Sequence, residues 1–196
     1  MKTCLVLALT LCFVPSVDAG KELFPEYDCI RPNVAFWKKV YSEYPSTKGL
    51  IHDVHDLRII YEVIDLVEAD APGARKINKK RVKKVKAKYN TILQKLASGK
   101  KTGSAEEKRV AALFGPHSGK AAFRAAHNNI RLQRCQQNRF REGLIRSGAY
   151  LAEIKRIFKS YGLPEDLAYL PHVESSFNYK AYSKFGAAGI WQFTRS

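Results

Sequence analysis

The chain has 196 residues, and 45% of them are apolar, which is enough for the packed core of one medium domain or two small ones. Its 34 Lys and Arg outnumber 18 Asp and Glu, so the net charge is +16 and polyanionic surroundings are favoured. No segment approaches the roughly 20 apolar residues of a membrane-spanning helix, so the sequence excludes such a span.

The first residues have the pattern of a secretory signal peptide. Lys2 supplies a positive charge, an apolar run follows from Leu5 to Val14, and small residues surround Ala19. The sequence therefore predicts a signal peptide over residues 1–19 and export of the rest. An exported basic protein meets anionic envelope polymers before it meets nucleic acid, so nucleic acid is not expected as a partner.

Four cysteines are present, and two of them, Cys4 and Cys12, leave with the predicted signal peptide. In an oxidising compartment the remaining pair, Cys29 and Cys135, is expected to form a disulfide. Such a bond closes a loop of about 100 residues, for which chain entropy allows roughly 4–5 kcal/mol. The alternative is two separate buried thiols.

Apolar residues recur at helical spacing after the predicted signal peptide, and no stretch shows persuasive strand alternation. Asn33 and Asp53 are the expected caps of the first two helices. The predicted helices cover residues 33–44, 53–69, 75–101, 105–114, 120–135 and 144–161. The sequence therefore predicts an all-α fold.

The predicted helix from Arg75 to Lys101 carries twelve Lys or Arg and no acid. Val82, Val85 and Tyr89 belong to its apolar stripe. Two interpretations stay open. The helix contacts an anionic envelope polymer or membrane surface, or its charges are the solvated outer face of a packed helix.

A glutamate interrupts an apolar stripe near the C-terminus. Leu167, Leu170 and Glu174 share one face of a helix that is kinked at Pro171 or ends at Leu170. Burial there favours the protonated carboxyl group near neutral pH, and such a group can act as a general acid. A surface or salt-bridged glutamate is the alternative.

The motifs around this glutamate resemble a known family. Glu174-Ser175, Ser183 and the run Gly186-Ala187-Ala188-Gly189-Ile190-Trp191-Gln192 closely resemble the soluble lytic transglycosylase (SLT) domain family. The lead-in Leu163-Pro164-Glu165-Asp166-Leu167-Ala168-Tyr169-Leu170-Pro171 resembles its membrane-bound lytic murein transglycosylase D-like branch. The resemblance implies a helical N-terminal region over residues 20–143 and the first part of an all-helical, lysozyme-like domain over residues 144–196.

The resemblance also implies an activity on the glycan strands of peptidoglycan, in the periplasm or cell envelope. Glu174 is then the sole catalytic acid/base, which cleaves between N-acetylmuramic acid and N-acetylglucosamine and leaves a 1,6-anhydro end. Ser175, Ser183 and Gln192 are expected to bind or position substrate, while Gly186 and Gly189 permit a tight turn. No cofactor is expected, and no metal site either, because the five histidines lack ligand spacing.

The family's later Ala-Tyr-Asn-type motif is absent, so the chain is expected to be truncated at its C-terminus. Two other functions remain open from the residues. One is a goose-type muramidase, which uses water and leaves a reducing end. The other is a non-catalytic, basic envelope-binding or peptidoglycan-binding protein that retains the glycan-cleaving fold as a vestige.

Overall fold

A computed structural model describes residues 24–116 and 118–194, so the predicted signal peptide lies outside the described residues. Within these ranges no helix is both long and apolar enough to cross a membrane. The elements in chain order are α1 (Arg31–Lys38), a π-helical segment (Lys39–Glu43), β1 (Lys48–Asp53), β2 (Ile60–Asp65), α2 (Ala74–Ala97), α3 (Ala105–Leu113), α4 (Lys120–Ala126), β3 (Ile130–Arg134), α5 (Gln137–Ser147), α6 (Leu151–Ser160), a 3₁₀ segment (Glu165–Tyr169) and α7 (Pro171–Glu174).

The fold is mixed rather than all-α, and the all-α prediction is wrong. Three antiparallel strands form a sheet in the order β2-β1-β3. In the central strand, Leu50 lies opposite Val63 on one side and Gln133 on the other. The helices predicted over 75–101 and 105–114 are confirmed as α2 and α3.

The segment predicted as a helix over 53–69 is instead the turn and second strand of a hairpin. Asp53 was expected to cap a helix, but its carboxylate accepts the backbone N–H groups of His55 (2.8 Å) and Asp56 (3.0 Å) and closes the hairpin loop. The same short side chain serves helix caps and turns equally well. Ile60, Tyr61, Val63 and Ile64 then favour a strand, because β-branched and aromatic side chains fit a pleated surface.

The helix predicted over 120–135 ends early for a related reason. It stops at Ala126, and a turn through Asn129 leads into β3, where Ile51 of the central strand lies opposite Leu132. The partner strand of β3 is therefore about 80 residues away in sequence, where local spacing cannot reveal it. The helix predicted over 144–161 is likewise divided into α5 and α6.

Consecutive residues of the central strand point to opposite faces of the sheet, and both faces are covered. Ile51 joins a core in which Tyr61, Tyr89 and Leu93 are fully or almost fully buried, beneath α2 and α3. Leu50 joins a smaller core on the other face with buried residues of α1, of the π-helical segment and of the position directly after β3: Phe36, Val40 and Cys135. The sheet therefore lies between two helical layers.

The predicted disulfide between Cys29 and Cys135 is not formed in the structure. Both thiols are free, with Cys29 exposed before α1 and Cys135 fully buried in the smaller core. Apolar contacts therefore hold Cys135 where a covalent bond was expected. Asn33 also differs from expectation, since α1 begins at Arg31 with Ile30 as its cap residue.

α5 joins the sheet region to the C-terminal segment. The backbone N–H of Ser46 donates to Asn138 Oδ1, and Asn138 Nδ2 donates to Ser46 Oγ, both at 2.9 Å. Ser46 is buried, and its hydroxyl also donates to the Glu68 carboxylate at 2.9 Å. These bonds fix α5 on the sheet region, and α7 then packs on α5.

Candidate functional site

Glu174 lies at the end of α7, a single helical turn. Pro171 does not kink a longer helix but occupies the first turn of α7, where its missing N–H is not needed. The preceding residues form the 3₁₀ segment instead, so Leu170 is 46% exposed and the Glu174 side chain is exposed as well. The expected burial of this carboxyl group is therefore wrong.

The two residues after Ser175 have an unusual backbone conformation. Ser176 and Phe177 have φ angles of +53° and +54°, in the left-handed region that non-glycine residues rarely adopt. Each costs about 1–2 kcal/mol relative to a right-handed conformation. The Phe177 ring is fully buried against His172, at 4.5 Å between ring centroids, and this burial opposes the cost.

α5 holds the same turn from the other side. Arg146 Nε donates to the Ser176 carbonyl at 2.8 Å. Gly143 lies so close that an added Cβ would be 3.1 Å from Ser176 Cα. The backbone after Glu174 is therefore fixed by a hydrogen bond, a buried ring and a helix that approaches closely only because it has a glycine there.

Ser175 connects α7 to the loop that carries the other predicted site residues. Its hydroxyl donates to the Ile190 carbonyl at 2.8 Å. Gln192 Nε2 donates to the Gly189 carbonyl at 2.8 Å, and Gln192 itself has a φ of +51°. Both side chains therefore stabilise the backbone of this loop.

Ser183 shapes the start of the same loop. Its hydroxyl accepts the backbone N–H groups of Phe185 (3.2 Å) and Ala187 (3.0 Å). Gly186 and Gly189 have φ angles of +87° and +74°, which confirms that the tight turn uses their conformational freedom. The fold thus brings Ser175, Ser183 and Gln192 together in one hydrogen-bonded loop beside α7.

Aromatic side chains surround this loop. Trp191 packs on Phe158 of α6, with 5.7 Å between ring centroids, and on Phe193 at 6.3 Å. Phe193, Tyr182 and Phe185 are largely exposed. Phe177 is fully buried, whereas Trp191 is only partly buried.

Tyr41 belongs to the π-helical segment, far from Glu174 in the sequence, and sequence reasoning did not connect the two residues. The Tyr41 ring packs on Phe140 of α5 at 5.6 Å, and Phe140 packs on His172 of α7 at 5.5 Å. Burial raises the pKa of Tyr41, and the negative charge of Glu174 raises it further. Tyr41 is thus connected to α7 through the rings of Phe140 and His172.

The described residues contain no group of three or more His, Cys, Asp or Glu side chains arranged to hold a metal ion. The chemistry available at this site is that of an exposed carboxyl group on a fixed backbone, beside a loop that carries exposed aromatic rings. A proton can pass between such a carboxyl group and a bound substrate.

Comparison with known proteins gives one family. Residues 153–196 match the transglycosylase SLT domain. Searches of the curated proteins and of the solved structures found no match. The matched stretch, called here the SLT segment, begins within α6 and contains Glu174, Ser175, Ser183 and Gln192. It supports the resemblance drawn from the sequence and, in general terms, a lytic transglycosylase with peptidoglycan as its substrate.

The SLT segment covers less than a quarter of the chain, and Tyr41, Gly143 and Arg146 lie outside it. Sequence reasoning missed all three. The available signal for Tyr41 was the helix formed by α1 and the π-helical segment, in which Phe36, Trp37 and Tyr41 cover more than one face. A helix that is apolar on several sides must be covered on several sides.

Proposed function

We propose that this chain is a lytic transglycosylase of the membrane-bound lytic murein transglycosylase D-like branch. Its substrate is the β-1,4 bond between N-acetylmuramic acid and N-acetylglucosamine, and Glu174 is the acid/base. The main support is the position of Glu174 within the SLT segment, at the exposed end of α7 and directly before the turn fixed by Arg146. A fixed backbone limits the positions that a catalytic carboxyl group can take.

In the proposed reaction the Glu174 carboxyl group gives its proton to the glycosidic oxygen as the bond from that oxygen to C1 of the muramic sugar breaks. The resulting carboxylate then takes the proton of the C6 hydroxyl of the same sugar, and O6 bonds to C1. One C–O bond is broken and one is formed, so no water is consumed. The products are a 1,6-anhydromuramic end and a free N-acetylglucosamine hydroxyl.

The exposure of Glu174 leaves its carboxyl group open to a substrate. A glycan strand bound across α7 covers this carboxyl group and excludes water from it.

Digestion of purified peptidoglycan with the full chain and with Glu174→Gln tests the proposal by mass spectrometry. The wild-type protein is expected to release anhydro products, each lighter by one water than its reducing-end counterpart. Glu174→Gln is expected to lower the rate by roughly 10²–10⁴-fold, the usual contribution of a general acid. Glu165→Gln, which changes an exposed glutamate in the preceding 3₁₀ segment, is the matched control and should retain activity.

Three results would contradict the proposal in different ways. Reducing ends alone would indicate a goose-type muramidase. Equal cleavage by wild type and Glu174→Gln would remove Glu174 from the chemistry. Binding of peptidoglycan by both proteins without cleavage by either would favour the vestigial binding protein.

The outer face of α2 supports an additional binding role toward an anionic envelope surface, such as a phospholipid headgroup layer. Two cations of its C-terminal part are paired, Lys88 with Glu62 and Lys95 with Glu107. The exposed cations of the N-terminal part make no ion pair within residues 24–116 and 118–194: Arg75, Lys76, Lys79, Lys80, Lys83 and Lys84. They extend along about 14 Å of helix.

Sedimentation with vesicles tests this role. Binding to anionic phospholipid vesicles should fall as salt is raised, because exposed charges are screened. The triple variant Lys76→Gln, Lys80→Gln, Lys83→Gln should bind less. Unchanged binding by this variant would mean that these charges are only a solvated helix face.

Export to the periplasm or cell envelope is also proposed, on the sequence of residues 1–19 alone. N-terminal sequencing of the protein recovered from a secreting host is the test, and a mature chain that begins at Gly20 is expected. An intact Met1 on the recovered protein would contradict the proposal.

A further inference from the structure

Two aromatic side chains of the helical segments that precede the sheet lie near α7 but outside the SLT segment. Trp37 belongs to α1 and Tyr41 to the π-helical segment that continues it. Their rings lie 5.9 Å apart at an angle of 29°. We call this pair the aromatic shelf.

The π-helical segment carries Tyr41 and widens the helical turn between Lys39 and Glu43. Such segments are frequent at functional sites. Phe36 and Val40 point into the smaller core and are almost completely buried. The aromatic shelf therefore lies on a different side of the same helix, away from the sheet.

Contacts through α5 bring the shelf to α7. Phe140 is in contact with both Tyr41 and His172, and His172 is two residues before Glu174. The effect of the Glu174 charge on the pKa of Tyr41 agrees with this placement. Within the shelf, Tyr41 contacts α5, and Trp37 contacts Tyr41.

The far end of this arrangement is open. Tyr41 is partly buried, but the Trp37 side chain is 41% exposed although it is among the largest apolar groups of the protein. An aromatic face that is partly open to water beside polar groups suits a ligand with both apolar C–H faces and hydroxyl groups. A sugar ring has both.

We propose that the aromatic shelf is a sugar subsite that adjoins Glu174, so that a helix outside the SLT segment binds one residue of the glycan strand. Trp37 packs on the face of the sugar, and the Tyr41 hydroxyl hydrogen-bonds to it. The inference rests on the proposed function, because it assigns a further part of the same substrate. Trp37 and Tyr41 are binding residues here and take no part in proton transfer.

The two tryptophans of the chain allow a direct test. In the variant Trp191→Phe, Trp37 is the only tryptophan, and adding Glu174→Gln prevents turnover during the measurement. The probe is soluble peptidoglycan glycan strands freed of stem peptides. Binding is expected to shift Trp37 emission to shorter wavelength and to protect it from acrylamide quenching.

Affinities measured by calorimetry in the Glu174→Gln background complete the test. Trp37→Ala should raise the Kd for the glycan about tenfold, the factor that corresponds to about 1.4 kcal/mol. Tyr41→Phe keeps the ring and should raise the Kd only a few-fold. Val54→Ala is the matched control, because Val54 is also 41% exposed. Val54 follows the last residue of the central strand, Asp53, at the end of that strand farther from α5, so its change should leave the Kd unaltered.

Each outcome decides the inference. Saturable glycan binding that leaves Trp37 emission and quenching unchanged would overturn it, as would an unchanged Kd in Trp37→Ala. No glycan binding at all would overturn it too. The emission measurement uses an intact shelf, so it remains informative if Trp37→Ala fails to fold. If the wild-type chain cleaves glycan but Trp37 emission does not change on binding, only the aromatic shelf is refuted. If Trp37 emission changes but the wild-type chain does not cleave, the shelf is supported and the proposed reaction is contradicted.

Discussion

Gly143→Ala tests whether α5 positions the turn behind Glu174. The added methyl group would lie 3.1 Å from both Ser176 Cα and Ser176 Cβ and 3.2 Å from the Ser176 carbonyl oxygen. These distances require a shift of a few tenths of an ångström, and the atoms that must move belong mainly to backbone. Because Phe177 is fully buried directly after Ser176, the turn has little freedom to yield.

Two opposing terms set the size of the effect. Alanine favours a helix interior over glycine by about 0.8–1.0 kcal/mol. Overpacking a constrained site typically costs about 1–3 kcal/mol. The free energy of unfolding is therefore expected to fall by between about 0 and 2 kcal/mol. Displacement of the backbone that carries Glu174 is expected to lower glycan cleavage by roughly 3–10-fold, since misplacement by 1 Å can cost about 10²-fold.

Urea unfolding followed by tryptophan fluorescence, together with the peptidoglycan digestion assay, measures both quantities. Gly119→Ala is the control for the added methyl group, because no atom lies within 4 Å of a Cβ at that position. An increase in stability of about 1 kcal/mol with unchanged cleavage would refute the reasoning. It would mean that only the helix preference acts and that α5 does not constrain the turn.

Two further predictions concern charge and thiol chemistry in the sheet region. Glu106 accepts hydrogen bonds from Arg109 and from the Tyr89 hydroxyl, and these lower its pKa to about 2 from an ordinary value of 4.5. Its contribution to stability is therefore complete above about pH 4.5 and is lost as the pH falls toward 2. Glu106→Gln should flatten the dependence of the unfolding free energy on pH in that window. Equal slopes of this dependence in the wild type and the variant would contradict the prediction. Burial raises the pKa of Cys135 to about 11, whereas Cys29 is exposed. Alkylation of the native protein at pH 8, followed by peptide mass spectrometry, should label Cys29 first and Cys135 only after unfolding, and a disulfide-linked peptide of the two would contradict the free thiols.

Local sequence determined the elements whose signals lie within a few residues. α2 and α3 follow from apolar spacing, and the capping box of Ser104 and Glu107 marks the start of α3. The motifs from Glu174 to Gln192 predicted one site, and the fold gathers these residues in one hydrogen-bonded loop with the expected glycine turn. These features depend on side chains that act on their own or on adjacent backbone.

Tertiary structure decided the sheet and the surroundings of Glu174. The apolar residues of β2 have a spacing that also fits a helix. The extended form is selected only by pairing with the central strand, and that strand pairs in turn with the distant β3. The break at Pro171 left Glu174 exposed where a continuous apolar stripe predicted burial. Tyr41 comes near Glu174 only because α5 packs against both the π-helical segment and α7. The contact between Tyr41 and Phe140 joins residues about 100 positions apart, so no local pattern in the sequence can encode it alone.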